Sequence, residues 1–257
     1  MRIFQKIKSV FLIFSTKRVL YSIMFNFRHL PLQQAKKFPI VFYKHAYGKI
    51  TNGGKIILSD DVIRQKKKIY IGFPSEDFEY QCEKTVFNIE YGTVYFNGGF
   101  CARRGVIMDV KGEAIFEDDV LFGPRCRVRI HNKGYFGESI RVAHETQVFD
   151  TNFHFMEKID APGFYPISKP ISIGNFSWIG NRCTIGPGSK LPDYTIVASN
   201  SLVNKDFSSL NNYSIIGGVP AKFIREGWTR VWDTKREFCF QKREFPWYAY
   251  KYRNITL

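Results

Sequence analysis

The chain has 257 residues and a formal net charge of +15, long enough to bury a good core as one domain with extensions. Its five cysteines, at positions 82, 101, 126, 183 and 239, form no C-x-x-C pair; this argues against a zinc finger or disulfide framework and predicts free thiols in a reducing cytosol. The charge is uneven: residues 1–59 hold eleven Lys/Arg and no acid, 60–221 hold 18 basic and 19 acidic groups, and 222–257 hold nine and four. No nucleic-acid-binding motif accompanies the basic ends, so nucleic acid is not an expected partner.

Met1–Phe27 mixes Arg2, Lys6, Lys8, Lys17 and Arg18 with Ile3, Phe4, Ile7, Val10, Phe11, Phe14, Val19, Leu20 and Phe25. It lacks an unbroken apolar span of about 18 residues, so it is not predicted to cross a bilayer. It also lacks the cleavage pattern of a signal peptide. Two readings stay open: a basic amphipathic helix resting on an anionic membrane face, or a helix packed on the body or on a neighbouring subunit. Neither makes the downstream repeat depend on about the first 25 residues. Lys68–Phe73 and Thr93–Phe100 alternate like strands and are expected to open the repeat.

A six-residue spacing then emerges. Phe116, Phe122 and Val128 keep one phase, and Phe136, Val142 and Val148 another; the slip at His131–Tyr135 reads as an insertion. A second insertion, Phe155 to about Pro170, carries Pro162, Gly163 and Pro166 and predicts a projecting loop. Ile173, Ile179, Ile185, Leu191, Val197 and Val203 follow without a break, and small residues stand four places after the first five: Ser177, Cys183, Ser189, Thr195 and Ser201. Neither a helix nor an ordinary alternating strand has this period. A chain that turns a corner every six residues does, so the spacing predicts a parallel β-solenoid. Gly123, Gly137, Gly174, Gly180 and Gly186 follow inward positions, where sharp turns or positive φ are expected. The aromatic-rich tail (Trp228, Trp232, Phe238, Phe240, Trp247, Tyr248, Tyr250, Tyr252) is expected to be partly helical and to cover the last coil. The predicted parts are a basic extension (1–60), the repeat (61–226) and a basic aromatic extension (227–257).

The segment ISIGNFSWIGNRCTIGPGSKLPDYTIVASNSLVNKDF (171–207), followed by GGVPAKFIR (217–225), resembles the hexapeptide-repeat acyltransferases. The likeness is greatest to the maltose, galactoside and polysaccharide O-acetyltransferases and is concentrated in residues 105–226. It implies an all-β, left-handed parallel β-helix with helical or irregular extensions, assembled as a homotrimer. It also implies acetyl-CoA as acyl donor, held between adjacent prisms, and a carbohydrate hydroxyl as acceptor. Left-handed crossovers break the usual rule, so the hand rests on the resemblance alone. The free thiols make the cytoplasm the expected location, and the membrane reading of the basic N-terminus would make the chain peripheral at the inner membrane face.

The string FDTNFH resembles the family's catalytic segment and makes His154 the candidate base. An imidazole, with an ordinary pKa near 6.5, can take a hydroxyl proton and return it to a departing thiolate. In an extended segment Asp150 and Asn152 share its face, so Asp150 could orient the ring or bind sugar hydroxyls and Asn152 could hydrogen-bond the acceptor. Both are also ordinary corner residues. For the coenzyme, the resemblance implies Trp178 as an aromatic shelf and N–H groups at Gly180, Gly186 and Ser199 facing pantetheine carbonyls. Lys205, Lys222 and Arg225 would face its phosphates. No metal is expected. The alternatives are N-acetylation of an amino-sugar nucleotide, a metal hydratase like the γ-class carbonic anhydrases using His131, His144 and His154, and a non-catalytic trimeric scaffold.

Overall fold

The computed structural model describes residues 17–74 and 83–245. The chain winds into a three-faced prism whose strands fall into sheets of nine, seven and six, one strand per face from each turn. Successive turns pair in parallel; in the nine-stranded sheet the last strand, Lys222–Arg225, runs antiparallel, against Ile215–Gly217. The first turn is Ile40–Phe42, Ala46–Thr51 and Lys55–Leu58. It pairs with Ile69–Phe73, Thr85–Glu90 and Thr93–Phe96 of the second. The prism therefore starts at Ile40, and the expected boundary at 60/61 falls inside it. Outward Tyr47, Lys49 and Thr51 dilute the apolar spacing of that turn and hide it in the sequence.

The inward positions of the six-residue run, together with Phe116, Phe122, Val128, Phe136, Val142 and Val148, are all buried. Phe96, Phe116 and Phe136 are ladder partners on the third face, and their rings stack at 5.6 and 4.8 Å. The turns that separate them are twenty residues long because each second-face strand buries two side chains, Met108 with Val110 and then Val128 with Ile130. The phase slip at His131–Tyr135 is thus no insertion: strands Arg127–Ile130 and Lys133–Phe136 flank a two-residue corner. From Ile173, which pairs with Leu191, the turns shorten to eighteen residues.

The corners rest on two local devices. At many corners the residue three places before the inward position takes the left-handed conformation, and nine of these are not glycine: Asp119, Arg125, Ser139, Glu145, Phe176, Arg182, Tyr194, Asn200 and Tyr213, with φ between 53° and 67°. That conformation costs an L-residue roughly 1–2 kcal/mol. Stacking between turns offsets it. Phe176, Tyr194 and Tyr213 pile ring on ring at 4.9 and 4.5 Å, and Glu145 bridges Arg125 (3.3 Å) and Arg182 (2.9 Å). The second device is a hydroxyl. Ser177, Ser189, Thr195, Ser201 and Ser214 each donate to the carbonyl three residues back at 2.6–2.8 Å, which explains the small residue at each such place. The glycines serve differently from expectation. Gly174 and Gly180 lack positive φ; a Cβ on them would lie 2.5 Å from Pro192 C and 2.7 Å from Ser199 N of the next turn. They are small because backbones stack closely there.

At the open first edge, helix Val19–His29 replaces the missing turn. Asn26 Oδ1 accepts from Ile40 N–H (3.1 Å) and its Nδ2 donates to Ile40 O (2.7 Å). Ser22 Oγ accepts from Phe42 N–H at 2.9 Å. Tyr21 OH accepts from Gly48 N–H (2.9 Å) and donates to Gly48 O (2.8 Å). The helix packs on the prism, and the first turn does depend on residues ahead of Phe27. Residues 1–16 of the predicted amphipathic segment lie outside the described residues. At the other end, helix Thr234–Glu244 forms as expected but runs along the first face instead of across the last turn. Trp232 contacts Phe176 at 5.6 Å and takes the Arg141 guanidinium at 5.7 Å. Trp247, Tyr248, Tyr250 and Tyr252 lie outside the described residues.

Replacing Asn26 by Ala strands the N–H and C=O of Ile40. Each buried orphan costs about 1–3 kcal/mol, so chemical denaturation should register a loss of that size per group. Unchanged stability would show that water caps this edge.

Candidate functional site

The projecting hairpin leaves the prism between the second and third faces. Its base is fastened by backbone: Asn152 N–H donates to Ile167 O (2.7 Å), Lys169 N–H to Asp150 O (2.9 Å), and Thr151 bridges Ser168. Beyond this clamp Met156–Glu157 pairs antiparallel with Phe164–Tyr165. His154 sits just past the clamp, exposed. Phe153 before it takes φ 63° and presses its ring edge-on against His131 at 5.5 Å, with the Arg129 guanidinium over it at 5.4 Å. Arg127, Arg129, Gln147, Phe149, Asn152 and Phe153 line a groove of about 480 Å³ on the second face at this base. Asn152 lines this groove two residues before His154.

Asp150 does not take the expected part. It is buried, and its two oxygens accept from the backbone N–H of His131 (2.9 Å) and of Asn132 (2.7 Å). The carboxylate is a corner clamp with no bond to His154. Desolvation raises its pKa above the ordinary 3.8, against the pull of those two N–H groups. The His–carboxylate pair near the hairpin is a different one, not singled out in the sequence: His131 Nε2 lies 3.2 Å from Asp109 Oδ2, and Asn88 holds the other Asp109 oxygen at 2.6 Å. Arg129, Phe149 and this pair were legible only through the twenty-residue register, in which Asp109 faces Arg129 and Arg129 faces Phe149.

Trp178 stands on the first face, partly exposed as expected of a shelf. It lines a cleft of about 840 Å³ between that face and helix Thr234–Glu244, which His144, Arg141, Arg230 and Phe240 also line. His154 is not among the residues that line this cleft. The N–H groups of Gly180 and Gly186 are not available to a pantetheine. They donate to Val197 O and Val203 O at 2.8 Å, as rungs between turns. Ser199 is exposed, with its hydroxyl on Asn181 Oδ1 at 2.5 Å. Lys205, Lys222 and Arg225 are exposed at the last turns, Lys205 over the Phe207 ring at 5.0 Å. Among the described residues no three His, Cys, Asp or Glu side chains converge as a metal-binding group, and His131, His144 and His154 do not gather.

No family model matches the chain. It is 42% identical over 82 residues to a probable macrolide acetyltransferase of Lysinibacillus sphaericus, covering 32% of this chain and 42% of that protein. It is 25% identical over 154 residues to the putative lipopolysaccharide biosynthesis O-acetyl transferase WbbJ of Escherichia coli K12, covering 55% of this chain and 77% of that protein. The first alignment thus spans less than half of its relative. Among solved structures, the polysialic acid O-acetyltransferase OatWY superposes with a TM-score of 0.50 at 18% identity, covering 75% of this chain and 95% of that one. The fold is the left-handed parallel β-helix, and by sequence and fold the chain resembles the hexapeptide-repeat acetyltransferases.

Asp150→Ala should leave the amides of His131 and Asn132, both part-buried, without their partner and cost about 1–3 kcal/mol in all. Because the folded-state pKa lies above the unfolded value, the contribution of this carboxyl falls as pH rises through the interval just above 3.8. Denaturation as a function of pH should show that slope in the parent chain and not in Asp150→Ala. An identical slope in both would reassign it to another group.

Proposed function

We propose that the protein is an acetyl-CoA-dependent O-acetyltransferase acting on a carbohydrate hydroxyl, with His154 as general base. The observation that carries this is His154, exposed two residues beyond the backbone clamp and next to Phe153, which lines a groove of about 480 Å³, in a chain whose sequence relatives are named acetyltransferases. His154 takes the hydroxyl proton as oxygen attacks the thioester carbonyl, the tetrahedral intermediate collapses with loss of the C–S bond, and the proton passes to the leaving thiolate. Direct attack suits the thiols present. Burial pushes Cys101 up to about 11 and Cys126 up to about 12, so neither offers a thiolate acyl carrier at neutral pH.

The acting unit in this reading is a homotrimer. A site holding both His154 and Trp178 needs one residue from each of two chains, since they lie on different faces of one prism. The hairpin supports this: Phe155, Met156 and Phe164 are exposed and Ile159 is 97% exposed, an apolar projection of the kind a neighbouring copy covers. Lys222 and Arg225 would serve the coenzyme phosphates.

His154→Ala and His154→Asn should each cut turnover of acetyl-CoA with a responsive saccharide by about 10²–10⁴, with donor affinity nearly unchanged. Retention of more than about a tenth of wild-type turnover would remove His154 from the chemistry and pass the role to His144. Lys222→Ala or Arg225→Ala should weaken acetyl-CoA about ten- to a hundredfold and leave acetyl-pantetheine, which lacks the nucleotide phosphates, nearly unaffected. Co-assembling inactive His154→Ala with inactive Trp178→Ala chains should restore about a quarter of the sites if cyclic pairing is random. No recovery in mixed assemblies would mean that each site lies within one chain.

A further inference from the structure

Helix Val19–His29 has two apolar faces, and the prism uses only one. Ser22, Phe25 and Asn26 are buried against the first turn. On the opposite side, at positions i, i+4 and i+7, Leu20 is 76% exposed, Met24 70% and Phe27 45%. The strip does not end with the helix: the Phe27 ring meets Phe38 at 5.9 Å, and Leu32 is exposed too. Among the described residues nothing covers this strip. The segment that carries it, residues 17–59, has one sign of charge. Lys17, Arg18, Arg28, Lys36, Lys37, Lys44, Lys49 and Lys55 are present between residues 17 and 59, and the first acid is Asp60. No helix among the described residues is long and apolar enough to cross a membrane.

We infer that this end of the prism docks on an anionic lipid surface, with Leu20, Met24, Phe27 and Leu32 entering the headgroup boundary and the basic residues facing the lipid charge. A basic segment without acids disfavours pairing with a second copy of itself, and an apolar strip carried on such a segment matches an anionic bilayer. The helix is then both things the sequence allowed. Its polar inner face caps the first turn and its outer face meets the membrane. The inference is independent of the acetyl-transfer reading.

The test is co-sedimentation of the full chain with vesicles of phosphatidylglycerol and phosphatidylcholine, and with phosphatidylcholine alone. The full chain should pellet with the anionic vesicles only and be released at 1 M salt, where charges are screened beyond about 3 Å. The double variant Leu20→Ser/Met24→Ser changes only exposed side chains, so its thermal unfolding should match the parent. Its affinity for the anionic vesicles should fall at least about tenfold. Ile159→Ser, at the tip of the projecting hairpin, should bind like the parent. Lys36→Gln/Lys37→Gln should weaken binding at low salt with the apolar strip intact. The inference is overturned if the full chain ignores anionic vesicles. It is overturned as well if either double variant binds as the parent does. A parent that self-associates while Leu20→Ser/Met24→Ser does not would assign the strip to a second copy instead.

Discussion

Each turn of this prism can satisfy its backbone only through the turn before it and the turn after it. Everything else in the structure follows from that dependence. A parallel ladder leaves half of its amides and carbonyls orphaned wherever stacking stops, so the chain must either continue or substitute something for the next turn. At the first edge the substitute is Asn26, whose amide gives one acceptor and one donor to the two exposed groups of Ile40. An asparagine buried in a helix would ordinarily be unfavourable. Here it stands in for a strand.

The same dependence restricts where chemistry can be placed. Inward positions are closed by packing, and ladder N–H groups are consumed by the next turn, as at Gly180 and Gly186. What remains are outward side chains, corners, and any segment that leaves the ladder. The hairpin after Thr151 is such a segment, and its clamp returns the chain to register at Ile171, which pairs with Gly134. His154 thus gains exposure without losing position. Outward residues on one face line up in columns, but columns on different faces of one prism diverge, which sets Trp178 apart from His154. The proposed site across a subunit boundary would reconcile the two.

Much of the architecture was legible because one inward aliphatic per corner has no other periodic explanation. The legible part was the eighteen-residue turns from Ile173 onward. The twenty-residue turns were misread because two extra residues on one face mimic an insertion, although Phe96, Phe116 and Phe136 record the true period. The first turn was missed because its outward residues are mixed and its cap is helical. Glycines following inward positions could be located but not explained by sequence, since close approach of two turns is a tertiary fact. At the site, the position of His154 beside the hairpin was readable. The burial of Asp150 under two amides was not, because its partners lie about one turn away in the chain.

The central claim is that the reacting groups converge only when two chains meet. A crystal structure of the assembled protein with coenzyme A bound tests it most directly. The account predicts a coenzyme lying between two prisms, its sulfur within hydrogen-bond reach of His154 of one chain and beside Trp178 of the next. A coenzyme held wholly within one chain, in the cleft between Trp178, His144 and helix Thr234–Glu244, with His154 remote from its sulfur, would contradict it.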